Sequence, residues 1–193
     1  MLDKSIPYYN ILMLRKCGKD LPHYELPKGY SFVSFLPGDE EKWAEIETAV
    51  GEFDSAVEAL SFYRKNFLCY PGGAERRTIF IQTAEGKKAG TATSWWNYIG
   101  PKRIPTLEWI AVKPEFQGLG LGKAVIYEGL KRMQLIEGDR DIFLHTQTWS
   151  YRAIKVYLDA GFEFIKASSF GSYKNEYEQA IPYLEEKLEI KLK

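Results

Sequence analysis

Apolar residues recur along this chain in two patterns: short alternating or continuous runs, and longer runs with helical spacing. The first pattern predicts β-strands at residues 8–15, 30–36, 78–83, 88–98, 107–112, 142–148 and 162–166. The second predicts α-helices at residues 41–50, 55–67, 122–136 and 150–160. The turn residues 85–87 join two of the strands into a predicted β-hairpin. Strands and helices therefore alternate over most of the chain.

Polar and glycine residues mark the ends of several predicted helices. Asp39 precedes one helix as a candidate N-cap, and Ser55 with Glu58 three residues later forms a capping-box pattern. Gly161 follows the 150–160 helix, where a left-handed residue often ends a helix.

Two helices carry apolar stripes that predict a buried face. In the 122–136 helix, Ile126, Leu130 and Met133 recur at helical spacing. In the 55–67 helix the stripe begins with Val57 and Leu60.

The C-terminal tail from residue 167 is less regular. Residues 175–188 have helical character, although Pro182 is expected to open or kink that helix. Residues 188–193 alternate and predict an additional edge strand.

Length and charge limit the classes of function. The 193 residues suffice for one domain spanning 1–193 with a sizeable core. Lysine plus arginine and aspartate plus glutamate balance at 26 each, and no basic run is interleaved with aromatic residues. We therefore expect neither a nucleic-acid partner nor a charge-driven membrane partner.

Cysteine, histidine and hydropathy patterns favour a cytoplasmic protein without a metal. Cys17 and Cys69 lack metal-ligand spacing and fit a reducing compartment; a disulfide between them is the alternative. His23 and His145 are the only histidines, too few for a histidine-based metal site, and His145 is expected to be a packed or hydrogen-bonded core residue. No run approaches the roughly 20 apolar residues of a membrane span, and the N-terminus lacks a signal-peptide pattern.

The segment LEWIAVKPEFQGLGLG, residues 107–122, carries the strongest chemical signal. A predicted strand enters a glycine-rich turn that opens a helix, so several backbone N–H groups and the positive end of the helix dipole point the same way. This arrangement predicts an anion site, although a helix that merely begins on glycines is the plain alternative.

Two nucleotide motifs fit this segment poorly. Gly118, Gly122, Lys123 and Ala124 are one residue short of a Walker A loop and lack its hydroxyl residue. The G-x-G-x-G spacing also differs from the G-x-G-x-x-G of dinucleotide-binding folds, and Asp141 precedes the next strand rather than following it.

A second motif changes the picture. Gln117, Gly120 and Gly122 in Q-x-x-G-x-G spacing are followed by SYRAIKVYLDAGF, residues 150–162, with Ala153 and Tyr157 in register. The pair of motifs resembles the GCN5-related N-acetyltransferases, best over about residues 76–166 and poorly over the tail 167–193. The resemblance implies an α/β (α+β) fold with a mixed, mostly antiparallel sheet flanked by helices on both faces.

The same resemblance implies acetyl-CoA as cosubstrate and assigns its binding residues. The loop would hold the diphosphate, and the main chain of the preceding strand would bond the pantetheine arm and the thioester oxygen. Ser150 stands where the family usually has asparagine; a serine can still cap the helix, but it lacks the amide through which the asparagine contacts the cofactor. The implied cofactor-binding residues are Ile110, Ala111, Val112, Gln117, Gly118, Leu119, Gly120, Leu121, Gly122 and Ser150.

Two residues are candidates for catalysis. Glu108 is the candidate general base, and strand alternation is expected to place it on the same face as Ile110 and Val112. Tyr157 is the candidate general acid for the leaving thiolate, as implied by the family motif. The structural alternatives are an exposed or ion-paired strand glutamate and an ordinary tyrosine on the buried face of a helix.

The acceptor is expected to be a primary amine of a small molecule or peptide. The acceptor site is expected at the two N-terminal helices and the loops near the strand ends, where aromatic residues are frequent. Such residues favour an apolar or aromatic amine or a cation, and the alternative is that they only pack in the core. They are Phe53, Phe62, Tyr63, Phe67, Trp95, Trp96, Trp109, Trp149 and Tyr151. A non-catalytic acyl-CoA sensor and a nucleotide-binding domain are the alternative functions. Family members often dimerise, so a homodimer is one expected state.

Overall fold

The computed structural model describes residues 2–191. Its strands are β1 (Asn10–Arg15), β2 (Tyr30–Ser34), β3 (Thr78–Thr83), β4 (Lys88–Ile99), β5 (Lys102–Val112), β6 (Ile142–Gln147) and β7 (Glu163–Phe164). Its helices are α1 (Glu40–Val50), α2 (Ala56–Asn66), α3 (Gly73–Arg77), α4 (Leu121–Glu137), α5 (Tyr151–Asp159) and α6 (Tyr177–Leu188).

The seven strands form one sheet in the order β2-β3-β4-β5-β6-β1-β7. Every neighbouring pair is antiparallel except β5 and β6, which run parallel and pair at a single position, Thr106 with Phe143. The mixed, mostly antiparallel sheet predicted from the sequence is therefore confirmed.

Helices cover both faces of the sheet. On one face α4, α5 and α6 bury a core with Ile126, Leu130 and Met133 of α4 at its centre, as the apolar stripe predicted. On the other face α1 and α2 bury an aromatic core around Trp43 and Tyr63. We call these the α4 face and the α1 face.

Gly129 lets α4 approach the sheet closely. A Cβ at this position would lie 2.8 Å from the Leu107 Cδ1 atom of β5. The absence of a side chain also leaves the Gly129 carbonyl accessible to β4, where Ser94 Oγ donates a hydrogen bond to it at 2.9 Å. This close contact fixes α4, and with it the loop that precedes α4, against β4 and β5.

Several local predictions differ from the structure. β5 begins five residues earlier than predicted, because Lys102 to Thr106 extend the hairpin with β4 although two of them are charged and one is proline. The predicted 162–166 strand is reduced to the two residues of β7. Helix α3 was not predicted, since five residues are too few to show helical periodicity.

One of two helix-cap predictions is confirmed, while the other and one stripe residue need correction. Ser55 does accept from the Glu58 N–H at 3.2 Å. Asp39 does not cap α1; its Oδ2 accepts from the Leu36 N–H at 3.0 Å, because Asp39 already has helical backbone angles. Val57 is 79% exposed, so the buried face of α2 is formed by Ala59 and Tyr63 instead.

The predicted C-terminal edge strand is wrong for the residues that the structure describes. Helix α6 continues through Pro182 to Leu188 and ends at Glu189, which has a left-handed φ of 54°. Only Ile190 and Lys191 remain before the described chain ends, too few for strand pairing. The last two residues of the prediction, 192 and 193, lie outside the described residues. None of the helices within 2–191 has the length and apolar character needed to cross a membrane.

Candidate active site

A wedge-shaped opening between β5 and β6 defines the candidate site. The two strands pair only at Thr106 and Phe143. On its other edge, β6 pairs antiparallel with β1 along its whole length. The edge of β5 from residue 108 to 112 is therefore unpaired on its β6 side. Unpaired main-chain groups at a strand edge are free to bind a ligand.

A β-bulge at Trp109 and Ile110 reverses the expected facing of Glu108. Ala111 pairs with Thr91 and Glu108 with Thr93, so two residues of β5 oppose one residue of β4. Trp109 takes the left-handed φ of 51°, which a tryptophan adopts only when surrounding packing holds it there.

The bulge separates Glu108 from the residues with which it was expected to share a face. Ile110 and Val112 pack on the α4 face, with Leu121 among their neighbours. Glu108 lies opposite Thr93, whose Oγ1 is hydrogen-bonded to Thr78 on the α1 face. The prediction of a common face is wrong, because alternation alone does not show an extra residue.

The loop between β5 and α4 has the geometry of an anion site. Gly118 and Gly120 both have left-handed φ angles, 81° and 80°. The Gln117 Nε2 atom donates to the Val112 carbonyl at 2.9 Å and closes the turn. No side chain caps the N-terminus of α4, and its first turn carries no acidic residue, so its first N–H groups are free to bind an anion.

The segment between β1 and β2 crosses this loop. The Tyr24 hydroxyl lies directly where a Cβ at Gly120 would project. The Tyr24 ring packs edge-to-face on Tyr127 of α4 at 6.4 Å, and the Lys123 Nζ lies 5.9 Å from its centroid. Gly120 is thus required both by its backbone angle and by the side chain above it.

Most of the predicted cofactor residues line one cleft of about 360 Å³. Leu119 does not line it, and this residue is 47% exposed. Val50 of α1 and the α5 residues Arg152, Ala153 and Val156 complete the walls. The predicted residues that line the cleft are Ile110, Ala111, Val112, Gln117, Gly118, Gly120, Leu121, Gly122 and Ser150.

Ser150 differs from its predicted capping role. It stands at the N-cap position of α5, but its side chain accepts no capping hydrogen bond, since its backbone angles (φ −96°, ψ 25°) are not those of an extended N-cap. Its side chain therefore lines the cleft without being held by the helix end.

Tyr157 is fixed by the C-terminal turn of its own helix. The Phe162 N–H donates to the Tyr157 carbonyl at 3.0 Å and the Gly161 N–H to the Leu158 carbonyl at 2.9 Å, the two bonds of a Schellman motif. The Phe162 ring packs edge-on against Tyr157 at 6.0 Å. Burial, with the negative charges of Glu52 and Glu47, raises the pKa of Tyr157, so the phenol keeps its proton at neutral pH.

Glu108 has the electrostatics of a base poised near neutrality. Burial raises the pKa of its carboxyl to about 7, although the Thr106 hydroxyl, which donates to Glu108 Oε1 at 2.6 Å, opposes the shift. Among the residues that the structure describes, no cation forms an ion pair with Glu108. The ion-paired alternative is thereby excluded for these residues.

Tyr173 lies near enough to Glu108 to be affected by its charge, and His145 packs on Tyr173. The His145 ring stacks on Tyr173 at 3.8 Å, and its Nε2 is hydrogen-bonded to Asn10 Oδ1 at 2.8 Å, as expected for a packed histidine. Burial lowers the pKa of His145 to about 4, so its ring is neutral at physiological pH. Burial and the charge of Glu108 raise the pKa of Tyr173 to about 12.

An aromatic wall closes the α1 side of the site. Trp109 stacks on Phe53 at 5.5 Å and meets Trp43 edge-on at 5.3 Å. Phe62 and Phe67 of the same predicted set join this wall. Trp95 extends it, because Trp95 packs on Phe67 at 4.8 Å and stacks on Trp96 at 4.1 Å. The bulge at Trp109 therefore places this ring in the aromatic wall and also changes which residues of β5 share a face.

Two acidic residues near Tyr157, namely Glu47 and Glu52, were not among the predicted site residues. In the run EEKWAEIETAV, Glu47 resembles the surface glutamates around it. The available signal was its position four residues after Trp43, on the buried face of α1. Within residues 2–191, no group of three histidine, cysteine or acidic side chains is placed to hold a metal ion.

A family model agrees with this geometry. The model described as "Acetyltransferase (GNAT) family" matches residues 43–162. The chain belongs to this family. The matched range includes most of the stretch 76–166 that carried the resemblance.

Known relatives and solved structures are consistent with this family. The chain is 30% identical over 155 residues to mycothiol acetyltransferase of Paenarthrobacter aurescens, covering 74% of this chain and 45% of the relative. It is 28% identical over 162 residues to mycothiol acetyltransferase of Saccharomonospora viridis, covering 77% and 50%. The chain thus spans about half the length of the curated relatives it matches.

Solved structures share the fold. The GCN5-related N-acetyltransferase from Sphaerobacter thermophilus superposes with a TM-score of 0.62 at 21% identity, covering 83% of this chain and 50% of that one. A GNAT-family acetyltransferase from Colwellia psychrerythraea gives a TM-score of 0.61 at 16% identity, covering 83% and 55%. At these identities the likeness concerns the fold alone.

Proposed function

We propose that this chain is an N-acetyltransferase that transfers the acetyl group of acetyl-CoA to a primary amine. The observation that carries the proposal is the opening between β5 and β6, where the loop at 117–122 and the unpaired edge of β5 line one cleft. Tyr157 and Glu108 are not among the residues that line this cleft, so their catalytic roles rest on the family motif and on the directions of their pKa shifts. The curated relatives are named for mycothiol, so we favour a small-molecule acceptor over a peptide.

The cleft fits the coenzyme in its main chemical features. The free N–H groups of residues 120–123 would hold the diphosphate at the positive end of α4, with Lys123 beside them. The apolar walls formed by Ile110, Ala153 and Val156 would accept the pantetheine arm. The unpaired main chain of residues 110–112 would bond that arm and polarise the thioester oxygen, a contribution of about 3–4 kcal/mol for one well-placed donor.

The reaction is a direct attack within a ternary complex. An acceptor ammonium gives one proton to the Glu108 carboxylate, directly or through water, and the freed nitrogen lone pair attacks the thioester carbonyl carbon. The C–N bond forms and the C–S bond breaks, and the leaving thiolate takes the proton of the Tyr157 hydroxyl. The acetylated nitrogen then loses its second proton, which returns to the Tyr157 oxygen through water. The raised pKa of Tyr157 keeps the hydroxyl protonated between turnovers.

The experiment is a measurement of CoA-thiol release with acetyl-CoA and a panel of primary amines, beside calorimetric titrations with acetyl-CoA, ATP and NAD. We expect acetyl-CoA to bind and at least one amine class to release thiol above the hydrolytic background. Acetyl-CoA binding without turnover on any amine would favour the sensor alternative. Binding of ATP or NAD in preference to acetyl-CoA would favour the nucleotide-binding alternative.

A further inference from the structure

His145 and Glu108 lie on one face of the sheet, on opposite sides of the opening between β5 and β6. Thr106 and Phe143 are the single paired position of these strands, and residues paired across neighbouring strands share a face. Glu108 and His145 each follow that pair by two residues, so strand alternation places both on the same face. The hydrogen bond from the Thr106 hydroxyl to Glu108 Oε1 agrees with this placement. Where the strands separate, the candidate base therefore has a histidine across from it.

The hydrogen bonds of Asn10 determine which ring nitrogen of His145 carries the proton. The Asn10 Nδ2 group donates to Glu176 Oε2 at 3.2 Å, and the Asn10 main-chain N–H donates to the same oxygen at 3.0 Å. The side-chain oxygen of Asn10 therefore faces His145, and it lies 2.8 Å from Nε2. An amide oxygen only accepts hydrogen bonds, so Nε2 is the protonated nitrogen.

The second ring nitrogen, Nδ1, is an acceptor without a partner. Burial lowers the pKa of His145 to about 4, so at neutral pH the ring holds a single proton, on Nε2. Nδ1 therefore carries a lone pair, and within residues 2–191 no donor is hydrogen-bonded to it. Nδ1 also keeps exposed surface, because in this part of the chain the fully buried polar atoms that lack a partner all belong to other residues.

The ring of His145 is held in one orientation. It stacks on Tyr173 with centroids 3.8 Å apart and planes within 9° of parallel. The hydrogen bond to Asn10 uses the side of the ring toward β1, which lies beyond β6 from β5. An acceptor atom fixed in this way loses little conformational entropy when a ligand binds, so it is suited to orient a donor.

We infer that the Nδ1 atom of His145 accepts a hydrogen bond from the attacking nitrogen of the acceptor, which His145 and Glu108 hold between them. This inference rests on the proposed function. A primary ammonium has three N–H groups: one gives its proton to Glu108, and a second donates to Nδ1. The lone pair that the proton transfer frees attacks the thioester carbon. His145 itself takes no proton and forms no covalent bond.

The first test is the kinetics of His145→Phe and His145→Asn with the best amine of the panel. The phenyl ring keeps a flat group against Tyr173 but has no acceptor atom, so kcat/KM for the amine should fall about tenfold or more, the effect of losing one hydrogen bond to a charged group. The asparagine places an amide oxygen near the position of Nδ1, so it should keep more of kcat/KM than the phenylalanine. The Kd for acetyl-CoA should not change in either variant, because His145 does not line the coenzyme cleft.

His23→Phe is the matched control. His23 is the other histidine of the chain, and its side chain is 86% exposed. This variant should keep the wild-type kcat/KM, and thermal melting checks that all three variants fold. An equal loss of kcat/KM in His145→Phe and His145→Asn would indicate a packing role and overturn the inference.

NMR of the ring nitrogens tests the hydrogen bond itself. Because the chain has only two histidines, the His23→Phe variant leaves a single ring to observe. In the free protein at neutral pH we expect Nε2 to be protonated and Nδ1 not. The Nδ1 signal should move when the amine is added together with coenzyme A, which carries no acetyl group to transfer. A protonated Nδ1, or an Nδ1 signal that the amine leaves in place, would contradict the inference.

The outcomes separate this inference from the proposed function. If the wild type acetylates amines and His145→Phe does so with the same kcat/KM, the hydrogen bond to Nδ1 is excluded while acetyl transfer stands. If no amine releases CoA although acetyl-CoA binds, the proposed function fails and this inference falls with it.

Discussion

At the scale of single residues, Glu108 makes the clearest prediction because its pKa has a defined direction and value. A general base must be ionised, so kcat/KM should rise with pH up to about 7 and then level off. Glu108→Gln should lower kcat/KM by about 100-fold or more and abolish this acidic limb. Initial rates of thiol release from pH 5 to 9 measure both effects, and an unchanged profile would place the base elsewhere.

Glu108 also affects stability with a sign that can be checked separately. Its pKa is raised on folding, so between about 4.5 and about 7 the folded protein binds more protons than the unfolded chain. The wild type should therefore lose stability relative to Glu108→Gln as the pH rises through this window, and the difference should be constant above it. Urea unfolding at several pH values tests this, and a parallel pH dependence would exclude the raised pKa.

Tyr157 should act on the chemical step rather than on folding alone. Tyr157→Phe removes the hydroxyl that protonates the thiolate and should lower kcat by about 100-fold while the affinity for acetyl-CoA changes little. The matched control is Tyr177→Phe, a tyrosine that is similarly buried but lies on α6. Full retention of kcat in Tyr157→Phe would remove the residue from the mechanism.

At the scale of elements, the junction of β5 and α4 makes a prediction about cofactor affinity. In Gly120→Ala, a side chain would be added at a φ of 80° and would meet Tyr24. The strain of about 1–2 kcal/mol at such a residue, together with the contact, should raise the Kd for acetyl-CoA. Calorimetry on the folded variant measures this directly.

Gly72→Ala is the control that isolates the cofactor effect. Gly72 also precedes a helix with a left-handed φ, 68°, but a Cβ there meets nothing within 4 Å and the residue does not line the cleft. It should show a comparable backbone cost with an unchanged Kd. If both variants bind acetyl-CoA like the wild type, the loop is not the diphosphate site.

The elements themselves differ in how well the sequence predicts them. The strand of β6 and the stripe of α4 are predictable because their periodicities are regular over many residues. The bulge at Trp109 is not, since an inserted residue leaves the apolar pattern of LEWIAV intact while turning Glu108 to the other face. The predicted helix cap at Asp39 is also wrong, because a short polar side chain can accept from other backbone N–H groups nearby, here that of Leu36.

At the scale of the whole molecule, long-range placement is what the sequence leaves open. Nothing in residues 10–15 indicates that β1 lies between β6 and β7, far from β2 in the sheet. The loop at 117–122 and the motif of Tyr157 were both found from local patterns. The cluster of Glu47 and Glu52 with Tyr157 requires α1, β6 and α5 to meet, and only the folded chain shows it.

The most direct test of the account as a whole is a crystal structure of the protein with acetyl-CoA. The account predicts the diphosphate within hydrogen-bond distance of the main-chain N–H groups of residues 120–123, and the thioester between β5 and β6 with its sulfur near the Tyr157 hydroxyl. A coenzyme bound at another surface, or a thioester turned away from Tyr157, would contradict it.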